Sequence, residues 1–196
     1  MACPADVKPP IHPSPLQLLV TDASLLSPSH LPSLQTLAIQ IQHNLQYQHS
    51  WTALRLHTHS PLTNEPLPRP LISGLPPKRL YVHPDEQIEL LKKAEQDRQV
   101  RSRQGDNNTA LDIKTELEPE WVLPTRLDEK WTAHRLSDVF GAITVVPPDE
   151  EASDTSEDRP ANPWRTVKRI VLAAVSTDST VVYYIVQDGV VKPRQN

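Results

Sequence analysis

The chain has 196 residues, a formal charge of −4 and a pI near 6.0, so it exerts no global pull on a polyanion, and any nucleic-acid contact must come from a local patch or a partner. Only 37% of the residues are hydrophobic, and 21 prolines stand beside four glycines, which implies one domain with extended, irregular flanks and leaves no material for a glycine-rich phosphate loop. The single cysteine, Cys3, excludes an internal disulfide and a thiolate zinc centre, and no apolar run approaches the ~18 residues of a membrane span.

Residues 1–30 read as an irregular, proline-rich N-terminus in which the apolar patch Leu16–Val20 has room for a short helix. That patch is too short, and too poorly flanked by positive charge, for a signal peptide; with the lone thiol this points to a soluble protein of a reducing, intracellular compartment. From Leu31 the pattern is helical: Leu34, Leu37, Ala38, Ile41 and Leu45 recur on one face with polar Gln35, Gln40, Gln42 and Asn44 between them, ending near Tyr47–Ser50. Trp51–His59 alternates as a strand, with Leu54, Leu56 and Thr58 on one face and Ala53, Arg55, His57 and His59 on the other. Pro61–Pro70 reads as a connector. Leu71–Ile72 and Arg79–Val82 frame turn material at Ser73–Pro77 and suggest one short or broken extended unit.

A helix should start at Pro84, with Asp85 and Glu86 at its positive end and Ile88, Leu91 and Ala94 as its buried stripe, fraying through Arg98–Gln104. Trp121–Leu123 reads as a short strand closed by Pro124. Asp128 is a candidate cap for a helix carrying Trp131, Leu136, Val139 and Phe140 and ending at Gly141. Two mobile loops are expected, about 101–118 and the acidic, proline-rich stretch 147–163. Ile170–Val175 and Val181–Val186 are dense runs of β-formers separated by Ser176–Thr180, a hairpin expected to be covered on both faces, with Asp188-Gly189 as a second tight turn. The fold class is α/β (α+β): a mixed sheet between helices, in one domain over 31–196.

Catalytic and metal sets are thin. His57 and His59 share a strand face, but no third ligand is evident, so a polar face is the simpler reading and neither metal nor cofactor is expected. His83 suits a turn or cap. Lys92, Lys93, Arg98, Arg101 and Arg103 form a basic run that reads either as a solvated face or as an RNA contact, and Lys168 and Arg169, which precede the hairpin, are further candidates for RNA contact. The acid run at 149–158 is most simply a solubilising loop, with Ser153, Thr155 and Ser156 as phosphorylation candidates. Tyr183 and Tyr184 face opposite sides of their strand. Should Val181, Val182, Tyr183, Tyr184, Ile185 and Val186 form a sheet edge, it is flat, apolar and uncharged, and either a helix covers it or another chain pairs with it.

Four blocks, HNLQYQHSW (His43–Trp51), LISGLPPKRLYVHPDEQ (Leu71–Gln87), EWVLPTRLDEKW (Glu120–Trp131) and the run Val181–Val191, resemble the fungal form of the small non-catalytic subunit of tRNA-splicing endonuclease, the one conventionally numbered fifteen. The resemblance spans about 31–196. It implies a nuclease-type fold, as in the C-terminal domain of tRNA-intron endonucleases. It also implies a heterotetramer of two catalytic and two structural subunits that cuts precursor tRNA at both splice sites. The direct partner would be a catalytic subunit, reached through the last strand, in the nucleus or at the cytosolic face of an organelle. A loop that is acidic in the archaeal relatives and docks into the other pair maps to Ser176–Thr180, where Asp178 is the one charge. The superfamily's active site is a Tyr, a His and a Lys, serving as base, acid and charge stabiliser. The Lys position falls at Lys168-Arg169. Between Asp106 and Pro163 there is no Tyr, His134 lies inside a predicted helix, and Tyr81 and His83 are too close together and precede the wrong element. The resemblance therefore implies a chain without catalytic residues. A degenerate nuclease using His134 and Lys168, and an RNA-binding module acting through Lys92–Arg103, are the alternatives.

Overall fold

The computed structural model describes residues 12–22, 29–103, 115–148 and 162–189. In chain order the elements are α1 (Pro15–Thr21), α2 (Pro32–Gln48), β1 (Thr52–His59), β2 (Pro66–Leu75), α3 (Pro84–Arg103), β3 (Glu120–Arg126), α4 (Ala133–Ala142), β4 (Arg169–Val175) and β5 (Val181–Gln187). The strands form one sheet in the order β1-β2-β3-β4-β5, antiparallel throughout except for the parallel pair β3–β4. The expected mixed sheet flanked by helices is present.

Period-two alternation along β3 and β4 supplies both faces. Val122, Val171, Ala173 and Val175 point to α2 and pack with Leu37, Ala38, Ile41, Leu45, Trp51 and Ile72. Trp121, Leu123 and Ile170 point to α4 and pack with Leu67, Leu71, Val139, Phe140 and Ile143. One helix therefore sits on each face of the three central strands. At Gly74 the β1–β2 pair closes so tightly that an added Cβ would lie 2.6 Å from Leu54 Cδ2, which explains a glycine inside a strand.

Several expectations need correction. The stretch read as a connector up to Pro70 is half strand, because β2 starts at Pro66. Pro66, Pro68 and Pro70 lie in the part of β2 that β3 does not reach, since β3 begins to pair with β2 only at Ile72, and in the stretch where the β1–β2 register shifts. Pro124 does not close β3. Extending the β2–β3 register sets Pro124 opposite Pro70, so that ladder stops where neither residue has a donor, while Pro124 continues the parallel pairing with β4 opposite Ala173. Arg79–Val82 is not a strand.

Gln35, assigned to the polar face of α2, is fully buried and donates from Nε2 to the His30 carbonyl at 3.1 Å, and Ile39 is buried as well, on a helix against which α1 packs. The short helix foreseen at Leu16–Val20 is α1, started by a capping box between Ser14 and Gln17. α4 is capped by Thr132, whose hydroxyl accepts from the Arg135 N–H, rather than by Asp128, and it runs through Gly141 to Ala142. α3 stays helical to Arg103 instead of fraying at Arg98. Of its expected stripe only Ala94 is buried, with Ile88 and Leu91 each 41% exposed. The expected loops fall largely at 104–114 and 149–161, outside the described residues, as do Cys3 and the acid run with Ser153, Thr155 and Ser156.

Candidate functional site: the β5 edge and its surroundings

The sheet has two edges, and they differ. β1 is interrupted twice by register shifts, its Ala53 takes φ 50°, and Arg55, His57 and His59 bring polar side chains to it. Bulges and polar groups blunt an edge against pairing. β5 runs in unbroken register beside β4 from Val181↔Val175 to Gln187↔Arg169, with no proline and no charged residue. Nothing among the described residues pairs with its outer side.

The strand is also incompletely covered. The hairpin expectation that both strands are buried holds for β4 alone: β5 leaves Tyr184 51% and Ile185 43% exposed, on opposite faces. Tyr183 belongs to the interior. Its ring meets His49 edge-on at 5.1 Å, its hydroxyl donates to Asn44 Oδ1 on α2, and burial pushes its pKa up to about 12. Tyr184, opposite Leu172, has no such anchor. The two adjacent tyrosines thus divide their roles, one tying β5 to α2 and the other facing out.

The β4–β5 loop is a tight turn. Ser176 N–H donates to the Thr180 carbonyl at 2.8 Å, and Ser179 takes φ 69°. Asp178 accepts from the Thr180 N–H at 3.0 Å, and that bond, first among several, holds its carboxylate below the usual range. Its charge is exposed but used locally. At the far end, Gly189 turns at φ 96°.

The residues nominated for chemistry are scattered. Lys168 donates from Nζ to the Phe140 carbonyl at 2.7 Å, near the end of α4, while His134 sits in the first turn of that helix, 87% exposed and 3.3 Å from Asp138. Six residues of helix separate the two, about 9 Å of rise, so they share no reacting atom. His83 accepts at Nδ1 from the Asp85 N–H at 3.2 Å and stacks on Trp164 with ring centroids 5.4 Å apart, the turn role expected of it. His57 turns inward, its Nε2 2.7 Å from Ser73 Oγ and its ring edge-on to Trp121, whereas His59 pairs with Thr58, so the two do not form a ligand pair. Among the described residues no group of three His, Cys, Asp or Glu could hold a metal ion, and no helix is long and apolar enough to cross a membrane.

Arg169 is not a surface cation. It lies in a buried network with Glu118 and Glu120 that also holds Arg165 (3.0 and 3.1 Å to the two carboxylates) and Arg79 (2.9 Å to Glu118), while Arg79 forks onto Glu86 and Tyr81 covers Arg169 at 5.5 Å. Sequence reasoning missed this network. Its one local signal was Arg165 and Arg169 four residues apart before an apolar strand; the carboxylates that answer them come from 45 to 51 residues away. In a second cluster Arg69 and Arg135 both lie over the Trp131 ring and both pair with Glu129. On α3, Lys92 and Lys93 are exposed and Arg98 bonds Glu95 at 2.9 Å; the side chains of Arg101 and Arg103 lie outside what is described.

Among the described residues, β5 thus presents an unpaired apolar edge, and His134 and Lys168 stand apart. Residues 40–196 match the family described as Sen15 protein. The chain belongs to the Sen15 family. A relative in Neurospora crassa, the "Probable tRNA-splicing endonuclease subunit tsp-1", is 42% identical over 187 residues, covering 94% of this chain and 75% of that protein. The Sen15 match takes in all five strands and leaves α1 and the first half of α2 outside it.

Proposed function

We propose that this Sen15-family chain is a structural, non-catalytic subunit of a tRNA-splicing endonuclease, and that β5 is the strand it lends to a catalytic subunit. The observation that carries the reading is the state of β5. A long, uncharged, in-register edge with Tyr184 and Ile185 exposed is an aggregation hazard unless a partner strand completes it. The named relative supplies the kind of complex, one that splices tRNA. The separation of His134 from Lys168 supports a chain that contributes no reacting group. In this reading Val181–Val186 form the interface, Asp178 is a minor docking contact at most, and precursor tRNA is met through the complex, in the nucleus.

The test is a pair of substitutions on the exposed positions, Tyr184→Lys and Ile185→Lys together. Both side chains are half solvated, so the free chain should keep its helix and strand content by circular dichroism. Co-expressed with the other subunits, the variant should lose the catalytic partner from the purified complex. Full retention of that partner would show that β5 is not the contact. The wild-type chain, purified alone, should leave precursor tRNA uncut even in excess.

A further inference from the structure

Helix α3 (Pro84–Arg103) is tied down at its first turn, where Arg79 forks onto Glu86, and Ala94 is its one buried apolar side chain, so it lies loosely against the other elements of the described residues. Twenty residues make a rod about 30 Å long. Its charge is divided along its length. Asp85, Glu86 and Glu89 occupy the first two turns; from Lys92 onward Lys92, Lys93, Arg98, Arg101 and Arg103 stand against Glu95 and Asp97 alone. Basic residues in a last turn complement the helix's own dipole, but that influence fades within a turn, and Lys92 and Lys93 lie at mid-helix.

The side chains are arranged as well as charged. Lys92, Gln96 and Gln99 recur at i, i+4 and i+7, which sets them on one strip about 10 Å long with Lys93 beside it. From Lys92 on, the strip carries no carboxylate. Glu89 lies one turn before the two lysines, and Glu95, on the neighbouring face, is engaged by Arg98 at 2.9 Å and Gln99 at 3.2 Å, which hold its carboxyl below the usual range. Lys92, Lys93, Gln96 and Gln99 are exposed, and neither lysine enters an ion pair among the described residues. The exposed apolar residues Ile88 and Leu91 precede the strip, and Val100, 52% exposed, stands beside it. Exposed cations interleaved with neutral donors suit a phosphate backbone; a protein interface would centre on a desolvated aromatic or arginine anchor, and α3 has no aromatic residue.

We infer that the Lys92–Gln96–Gln99 strip of α3, with Lys93, contacts the phosphate backbone of the RNA on which the complex acts. The inference rests on the reading of the chain as a subunit of a tRNA-splicing complex, and it assigns that subunit a direct share in holding substrate. The contact is sequence-independent, because nothing on the strip is placed to read base edges.

The experiment compares assembled complexes containing the wild-type chain, Lys92→Glu/Lys93→Glu, or Lys92→Arg/Lys93→Arg, with a precursor-tRNA transcript as probe over a range of salt concentrations. The charge-reversed complex should keep its subunit composition, bind the transcript on the order of tenfold more weakly near 0.1 M salt, and lose about 1.5 from the slope of log affinity against log salt. The arginine variant should match wild type. Unchanged affinity and slope in an intact charge-reversed complex would overturn the inference. So would loss of a subunit on charge reversal, which would make α3 a protein-docking surface. A wild-type chain that fails to assemble would instead sink the functional reading; the free chain and its variants, titrated with the same transcript, then decide the strip's role separately.

Discussion

Glu118 and Glu120 enter the fold just ahead of β3 and at its first residue, and their carboxylates are answered by Arg79, Arg165 and Arg169. Burial opposes ionisation of Glu118, but the Asn162 amide, donating at 2.6 Å, and the three guanidinium groups outweigh it and hold its carboxyl below the ordinary carboxylate value. Glu129 repeats the balance: burial against Arg135, Thr125 and Arg69, again with a lowered pKa. A carboxylate lowered in the folded state contributes stability that is complete above its unfolded pKa and is lost as pH falls through its folded one. Denaturant midpoints measured against pH should therefore be flat above about pH 5 and decline below about pH 4.5. Glu118→Gln should lower the plateau and shallow the decline; an equally steep acid limb in that variant would remove Glu118 from the account.

At the scale of elements, β5 is held on its inner side by Tyr183 and open on its outer side. The tyrosine's raised pKa gives the opposite pH dependence. A group whose folded pKa lies above its unfolded value near 10 contributes stability below that value and loses it as pH rises toward about 12. Ultraviolet titration of phenolate should show one late ionisation that Tyr183→Phe abolishes, with a stability loss of about 1 kcal/mol for the missing hydrogen bond to Asn44. Disappearance of that step in Tyr184→Phe instead would reverse the roles assigned to the two residues.

The hairpin and α2 were legible in the sequence because their signals are local: β-branched runs around a polar turn, and apolar residues at helical spacing. Pro66, Pro68, Pro70 and Pro124 misled because a proline's effect depends on which neighbour its missing N–H would face, a property of the sheet rather than of the segment. The stripe Ile88–Leu91 on α3 misled in the other direction. Helical periodicity identifies an apolar face but not whether the described fold supplies anything to cover it.

Across the whole molecule, α2 and α4 cover the three central strands, while β5 and α3 are left facing outward. The inner layers are closed by apolar packing and by ion pairs that neutralise one another. What remains open among the described residues includes an apolar strand edge and a basic helix strip, two surfaces of different chemistry. Two such open surfaces among the described residues leave a chain of the Sen15 family with room for contacts beyond itself. The resemblance was legible because its four blocks coincide with the chain's structural anchors, among them the end of α2, β2 and β3. The buried Arg–Glu network was not, since its partners meet only in three dimensions. Amide hydrogen exchange along β5 tests the central claim most directly, read in the free chain and in the assembled complex. The account predicts that alternate amides of Val181–Val186, those on the side away from β4, exchange readily in the free chain and become protected on assembly. Exchange unchanged across β5, in a complex shown to contain the chain, would contradict it.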